Sequence, residues 1–158
     1  MMKIIIRKLR KEDKKEILLL KKEFSLYNRK EMLSERISFF EALSDIDKFI
    51  EIEFEKALKS VSFVAESNGE IVGFIEGEVK QAKERVFDKI GYINEFFVTD
   101  EQRQKGIGKM LFNNLRDEFK HLGCRILKTS SYIDNKMSIK LYMKLGFIKE
   151  TVSFVKEI

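Results

Sequence analysis

Proline and tryptophan are absent from this 158-residue chain, and cysteine and histidine occur once each. A lone cysteine, Cys124, cannot close an internal disulfide, which favours a reducing compartment. One His and one Cys leave too few ligands for a zinc centre. His121 falls on a helix or its end, three residues before Cys124 at a strand start, so both read as structural rather than as a nucleophile and its base. No metal is expected. No apolar run approaches the ~20 residues of a membrane span. The N-terminal isoleucines Ile4 to Ile6 are too few for a signal-peptide core, so a cytoplasmic protein is expected. There is no repeat, low-complexity tract or linker, so residues 1–158 read as a single domain. A chain of this length buries roughly two-thirds of its unfolded surface.

Charge of one sign is also in short supply. The formal net charge is only +5, with 36% charged and 44% apolar residues, as in a soluble globular protein. Bases and acids are interleaved, so a nucleic-acid stripe is not indicated. The small surplus suits a polyanionic small ligand and a lysine-coated surface equally well.

What is present alternates between strand-like and helix-like pattern. Lys3 to Leu9 reads as a strand. Arg10 to Asn28 reads as a helix with Ile17, Leu20, Phe24 and Tyr27 on one face. Glu31 to Ser60 reads as two helical pieces with a break near Ser44, Ile37 and Phe40 in the first and Ile46, Phe49, Ile50, Phe54, Ala57 and Leu58 in the second. The acids Glu41, Asp45, Asp47, Glu51, Glu53 and Glu55 read as a solvated face, with attraction of a cationic amine as the alternative. Asn68-Gly69 between two apolar runs is a hairpin signal. In the second run, strict alternation puts Val72, Phe74, Glu76 and Glu78 on one face and Ile71, Gly73, Ile75 and Gly77 on the other. Arg125 to Ser131 reads as a strand, Asp134 or Asn135 caps a helix running to Leu145, and Phe147 to Ile158 reads as strand.

The most informative stretch joins the strand Ile90 to Val98 to a helix beginning near Gly106. The first N–H groups of a helix lack intrahelical partners and carry partial positive charge. Gly106 and Gly108 let a ligand approach the backbone, and Arg103, Lys105 and Lys109 surround the same point. A phosphate or pyrophosphate suits this turn, and a plain tight connection is the alternative. The Walker pattern is absent, and Leu111 stands where the dinucleotide fingerprint needs its third glycine.

Arg103-x-x-Gly106-x-Gly108 resembles the acyl-CoA signature of the GNAT family of N-acetyltransferases. A second match follows in order: Asn135 opening a short helix, Tyr142 seven residues on, then Leu145-Gly146-Phe147. The resemblance covers about Gly91 to Phe147. Thr99-Asp100 stands where members often have proline, Ser138 where they often have alanine, and the last twelve residues are short for two final strands. The resemblance implies a three-layer α/β domain, with a mixed, mostly antiparallel sheet of about six or seven strands flanked by four or so helices. The strand at Ile90 to Val98 should splay from that at Arg125 to Ser131.

The chemistry implied is transfer of the acetyl group of acetyl-CoA to a primary amine by direct attack in a ternary complex. No nucleophilic side chain is then needed. By the same resemblance, the pyrophosphate sits on the backbone of Gln104, Lys105, Gly106, Ile107, Gly108 and Lys109 beside Arg103. The pantetheine arm runs along Phe97 and Val98, and Asn135 contacts it. Tyr142 is implied as the acid that protonates the leaving thiolate. Glu95 is the candidate base, with Glu76 or a water chain as competitors. A non-catalytic acyl-CoA-binding regulatory module is the alternative function. The acceptor, a small-molecule amine or a protein amino group, is not named by the sequence, and a homodimer is compatible with it.

Overall fold

A computed structural model describes residues 3–32 and 42–158. In chain order the elements are β1 (Ile4–Lys8), α1 (Lys14–Met32), α2 (Ile46–Leu58), β2 (Val61–Ser67), β3 (Glu70–Gln81), β4 (Lys89–Val98), α3 (Ile107–His121), β5 (Ile126–Thr129) and α4 (Lys136–Lys144). Short 3-10 turns precede α1 and follow β4. The expected helical piece around Ile37 and Phe40, and Glu41, lie outside the described residues. No described helix is long and apolar enough to cross a membrane.

The strands form one sheet in the order β1-β2-β3-β4-β5. The first four are antiparallel neighbours, and β5 joins β4 in parallel. Asn68 and Gly69 both adopt positive φ, as a tight hairpin turn between β2 and β3 requires. α1 and α2 cover one face of the sheet, where Ile17, Leu20, Phe54, Val64, Ile71, Phe74 and Phe97 pack together. α3 covers the other, with Ile107, Leu111, Phe112, Leu115 and Phe119 against Phe63, Ile75 and Ile93. Cys124 is buried in that second cluster, and burial pushes its thiol up from the ordinary value. It is therefore a poor nucleophile.

Two register shifts depart from strict alternation. Ala65 pairs with Gly73 but Glu66 pairs with Ile71, so Val72 is an extra residue. Val72 joins the α3 face with Ile75, and Ile71 joins the α1 face with Phe74, which corrects the simple alternation expected for β3. In β4, Gly77 pairs with Ile93 but Glu76 pairs with Glu95, so Asn94 is extra. A bulge of this kind re-aims the side chains beyond it.

Among the described residues the sheet has five strands, fewer than the six or seven expected. The segment from Phe147 to Ile158 forms no strand. Ile148, Val152, Phe154, Val155 and Ile158 are exposed, so its apolar residues find no sheet face to cover them. One ion pair, Lys128 to Glu150 at 2.6 Å, ties its start to β5. A groove of about 440 Å³ lies between this segment, α3 and the outer side of β5.

Candidate active site

The site is built where β4 and β5 part. The two strands pair from Ile90/Ile126 to Ile93/Thr129, where β5 ends. β4 continues to Val98 with no strand beside it on that edge among the described residues. The Thr129 hydroxyl donates to the Ile93 carbonyl at 3.2 Å and marks the fork. Tyr142, from α4, brings its phenol to the Thr129 side chain. Burial pushes this phenol above its ordinary value, opposed by the hydrogen bond with Thr129, so it remains a proton carrier at neutral pH.

The Leu-Gly-Phe motif explains how Tyr142 is held. Gly146 takes φ +90°. Its N–H donates to Met143 O at 3.1 Å, and the Phe147 N–H donates to Tyr142 O at 3.0 Å. This pair of bonds is a Schellman helix end. It folds Phe147 back so that its ring meets Tyr142 edge-on at 5.5 Å and Phe112 of α3 at 5.9 Å. At the other end of α4, Asn135 is the cap. Its Oδ1 accepts from Ser138 N at 2.8 Å, and its Nδ2 donates to Ser138 Oγ at 2.6 Å. The buried Asn135 side chain is thus committed to its own helix.

The turn after β4 has the shape of an anion cradle. Gln104 and Gly106 both have positive φ, 61° and 80°, and such turns aim successive N–H groups at one point. A Cβ on Gly106 would meet nothing within 4 Å, whereas one on Gly108 would lie 3.3 Å from the Phe96 ring. Gly106 supplies the left-handed backbone, and Gly108 lets α3 sit close to β4. The side chains expected around the turn are partly engaged elsewhere. Arg103 Nε donates to Val98 O at 3.0 Å, the guanidinium pairs with Asp100 at 2.5 Å, and it lies over the Tyr27 and Phe97 rings. Lys105 Nζ donates to Gln102 at 3.1 Å. Arg103 therefore fastens the turn to β4 and α1 instead of standing free beside it. The Phe97 side chain is buried in the α1 face, and only its backbone borders the fork.

The bulge at Asn94 turns Glu95 away from Ile93, which packs under α3, and onto the α1 face opposite Glu76. There Lys21 of α1, only 2% exposed, donates to Glu76 Oε1 at 2.6 Å and Glu95 Oε2 at 2.5 Å. Its ammonium also lies 5.0 Å from the Phe74 ring centroid. Glu53 of α2 completes the cluster, with carboxylate oxygens of Glu53, Glu76 and Glu95 all within 4.8 Å of one another. Of the other acids in this region, Asp45 caps α2, and Asp47 and Glu51 pair with Lys22 and Lys14 of α1. Burial and then the Glu95 charge push Glu76 well above the usual carboxylate range, and Lys21 opposes them. Burial works to lower the Lys21 amine, but the two carboxylates outweigh it and hold Lys21 above its ordinary value. Lys21 was not singled out in the sequence, although it falls at helical spacing between Ile17 and Phe24 on the apolar stripe. A lysine inside such a stripe is the signal that could have found it.

Known proteins resemble this chain in sequence and in fold. The profile described as Acetyltransferase (GNAT) family matches residues 26–147. An uncharacterized N-acetyltransferase of Methanocaldococcus jannaschii, MJ1207, is 33% identical over 90 residues, which are 57% of this chain and 40% of that protein. The chain thus spans well under two thirds of that relative's length. An uncharacterized N-acetyltransferase of Bacillus subtilis, YhfO, is 27% identical over 72% of this chain and 76% of its own. Among solved structures, the aminoglycoside N-acetyltransferase AAC(6')-Iy in complex with CoA superposes with a TM-score of 0.79 at 20% identity, covering 99% of this chain and 95% of that one. This last likeness is one of fold.

Proposed function

The chain belongs to the acetyltransferase (GNAT) family, and from that premise we propose that it transfers the acetyl group of acetyl-CoA to a primary amine by direct attack within a ternary complex. The observation that carries the reading is the fork. Tyr142 brings a protonated phenol to the point where β4 and β5 part. Two residues along β4, the Asn94 bulge presents Glu95. The open turn at Gln104 to Lys109, with two left-handed residues and the unpaired N–H groups of α3, lies beyond the same strand. The backbone there fits a pyrophosphate, because donors and helix-terminal charge converge where no side chain intrudes.

When bound, acetyl-CoA supplies an activated carbonyl with a thiolate leaving group. The chain's own residues do the rest. Backbone groups on the free edge of β4, near Phe97 and Val98, hold the pantetheine arm and polarise the carbonyl. Glu95 takes the proton that an alkyl amine carries at neutral pH, and Tyr142 returns a proton to the departing sulfur. Lys105 and Lys109 add positive charge at the turn, and Arg103 acts by fixing its position. Asn135 serves as the cap that sets α4, and with it Tyr142.

The test is thiol release from acetyl-CoA against kanamycin, spermidine, lysine and a peptide with a free N-terminus. Turnover with an amine, lost in Glu95→Gln, is expected. CoA binding without thiol release from any amine would overturn the enzyme reading in favour of a binding module.

A further inference from the structure

The geometry points to Lys21 as the positioning residue of the candidate base: its buried ammonium bridges Glu76 and Glu95, holds the Glu95 carboxylate in place and supplies the counter-charge that the facing pair needs. The inference rests on the reading of Glu95 as the base.

Glu76 and Glu95 are direct cross-strand partners. Like charges in that relation repel, and on a buried face two carboxylates do not both ionise without a counter-charge. The counter-charge comes from a third element. Lys21 reaches both oxygens from α1 at 2.6 and 2.5 Å. Among the described residues the charged groups facing the pair come from four elements. β3 gives Glu76, β4 gives Glu95 and α1 gives Lys21, while α2 gives Glu53, whose carboxylate is itself paired with Lys56 at 2.7 Å. With Glu53 and Lys56 cancelling each other, Lys21 balances one negative charge. A single proton held by Glu76 then leaves the cluster neutral, with Glu95 free to accept a proton from an incoming ammonium.

Removing the Lys21 charge leaves the buried Glu76 carboxyl and the half-buried Glu95 carboxylate with no cation between them. Their protonation must then move to higher pH, because an opposite charge at this range shifts a carboxylate by about 1–3 units. Lys21→Gln tests this while retaining a hydrogen-bonding side chain. Carboxyl-labelled glutamate read by 13C NMR, assigned with Glu76→Gln and Glu95→Gln, gives the pair's titration without any acceptor. In Lys21→Gln the midpoints are expected to rise by about 1–3 pH units, with Lys21→Arg close to wild type. The acid limb of kcat/KM, with acetyl-CoA and the best amine of the panel above, is expected to rise by the same amount in Lys21→Gln. Should Lys21→Gln fail to fold, the Lys21→Gln/Glu76→Gln double variant is read against Glu76→Gln alone: the two differ only by the Lys21 charge beside Glu95, and the acid limb is expected to lie about 1–3 pH units higher in the double variant. An acid limb at the same pH in Glu76→Gln and in the double variant overturns the inference. Unmoved NMR midpoints in a folded Lys21→Gln also overturn it, and leave the base assignment standing on Glu95→Gln. Midpoints that move without the kinetic limb, or a fully active Glu95→Gln, overturn both the role of Glu95 and that of Lys21.

Discussion

Replacing Tyr142 by Phe separates the proposed acid from a merely packed aromatic, and the structure allows both effects to be sized. The ring is held by the Schellman end of α4 and by Phe147 at 5.5 Å, and neither contact involves the hydroxyl. The hydroxyl meets the Thr129 side chain. The Thr129 hydroxyl keeps its own bond to the Ile93 carbonyl in the variant, so no buried donor is stranded there. The stability cost should sit at the low end of the ~0.5–1.5 kcal/mol for one hydrogen bond. For a domain of this size that is a fall in melting temperature of at most a few degrees. Loss of a general acid costs roughly 10²–10⁴-fold in turnover, or about 2.7–5.5 kcal/mol of barrier. The two outcomes are therefore well separated. Thiol release from acetyl-CoA, CoA affinity by calorimetry and a thermal melt, run on both proteins, are expected to show a large fall in kcat with the other two nearly unchanged. A Tyr142→Phe enzyme with wild-type kcat would refute the argument and leave solvent as the proton source.

Three further outcomes follow. Gly108→Glu places a carboxylate at the start of α3, where it suits the helix dipole, while its Cβ meets the Phe96 ring at 3.3 Å, so a thermal melt first establishes that the variant is folded. CoA affinity, measured by calorimetry, should fall at least about 10-fold (~1.4 kcal/mol) if the pyrophosphate sits at this turn; unchanged affinity in the folded variant would exclude that site. Gly77→Ala puts a Cβ 2.3 Å from the Tyr92 carbonyl oxygen and 2.9 Å from the Phe119 ring, and should cost about 1–3 kcal/mol or more by chemical denaturation; a cost below ~0.5 kcal/mol would show that the β3–β4 contact is loose. Glu76→Gln should raise stability more at pH 9 than at pH 6. Burial and the Glu95 charge hold the folded Glu76 well above its unfolded value, so the stability it contributes is present at low pH and lost as pH rises through the folded value. Melts showing the same gain at both pH values would contradict that sign.

Much of the fold was legible because local chemistry and tertiary structure agree. Asn68-Gly69, the apolar stripes of α1 and α2, and the glycines ending α3 and α4 all act as their residue types dictate. So does the double glycine turn, where Gly106 adopts the left-handed backbone that glycine alone takes without strain. The C-terminal strand was misread because Val152, Phe154 and Val155 carry strand propensity, which acts only where a neighbouring edge or face accepts them. The resemblance implies Arg103 beside the pyrophosphate, and the partners that hold its guanidinium are only partly legible from the sequence. The Asp100 carboxylate and the Val98 carbonyl lie three and five residues before it, close enough to engage it once the chain turns there, whereas the Tyr27 ring comes from α1 and no local spacing reveals it.

The same limit explains the acidic cluster, and it runs through one residue. In unbroken alternation Ile93, Glu95 and Phe97 would share a face of β4, and a carboxylate beside Ile93 would lie under α3 among Leu111, Leu115 and Phe119. The extra residue Asn94 breaks that alternation, so Ile93 stays under α3 while Glu95 and Phe97 turn toward α1. Opposite the bulge, Gly77 has no side chain, and none would fit against the Tyr92 carbonyl. The bulge, the glycine and the buried lysine are thus one device. The bulge aims Glu95 at Glu76, the glycine permits the close strand contact, and Lys21 makes the facing carboxylates tolerable. Each has an ordinary reading when taken alone, as a polar strand residue, a small residue and a surface cation, and only the register joins them into a candidate proton-accepting site.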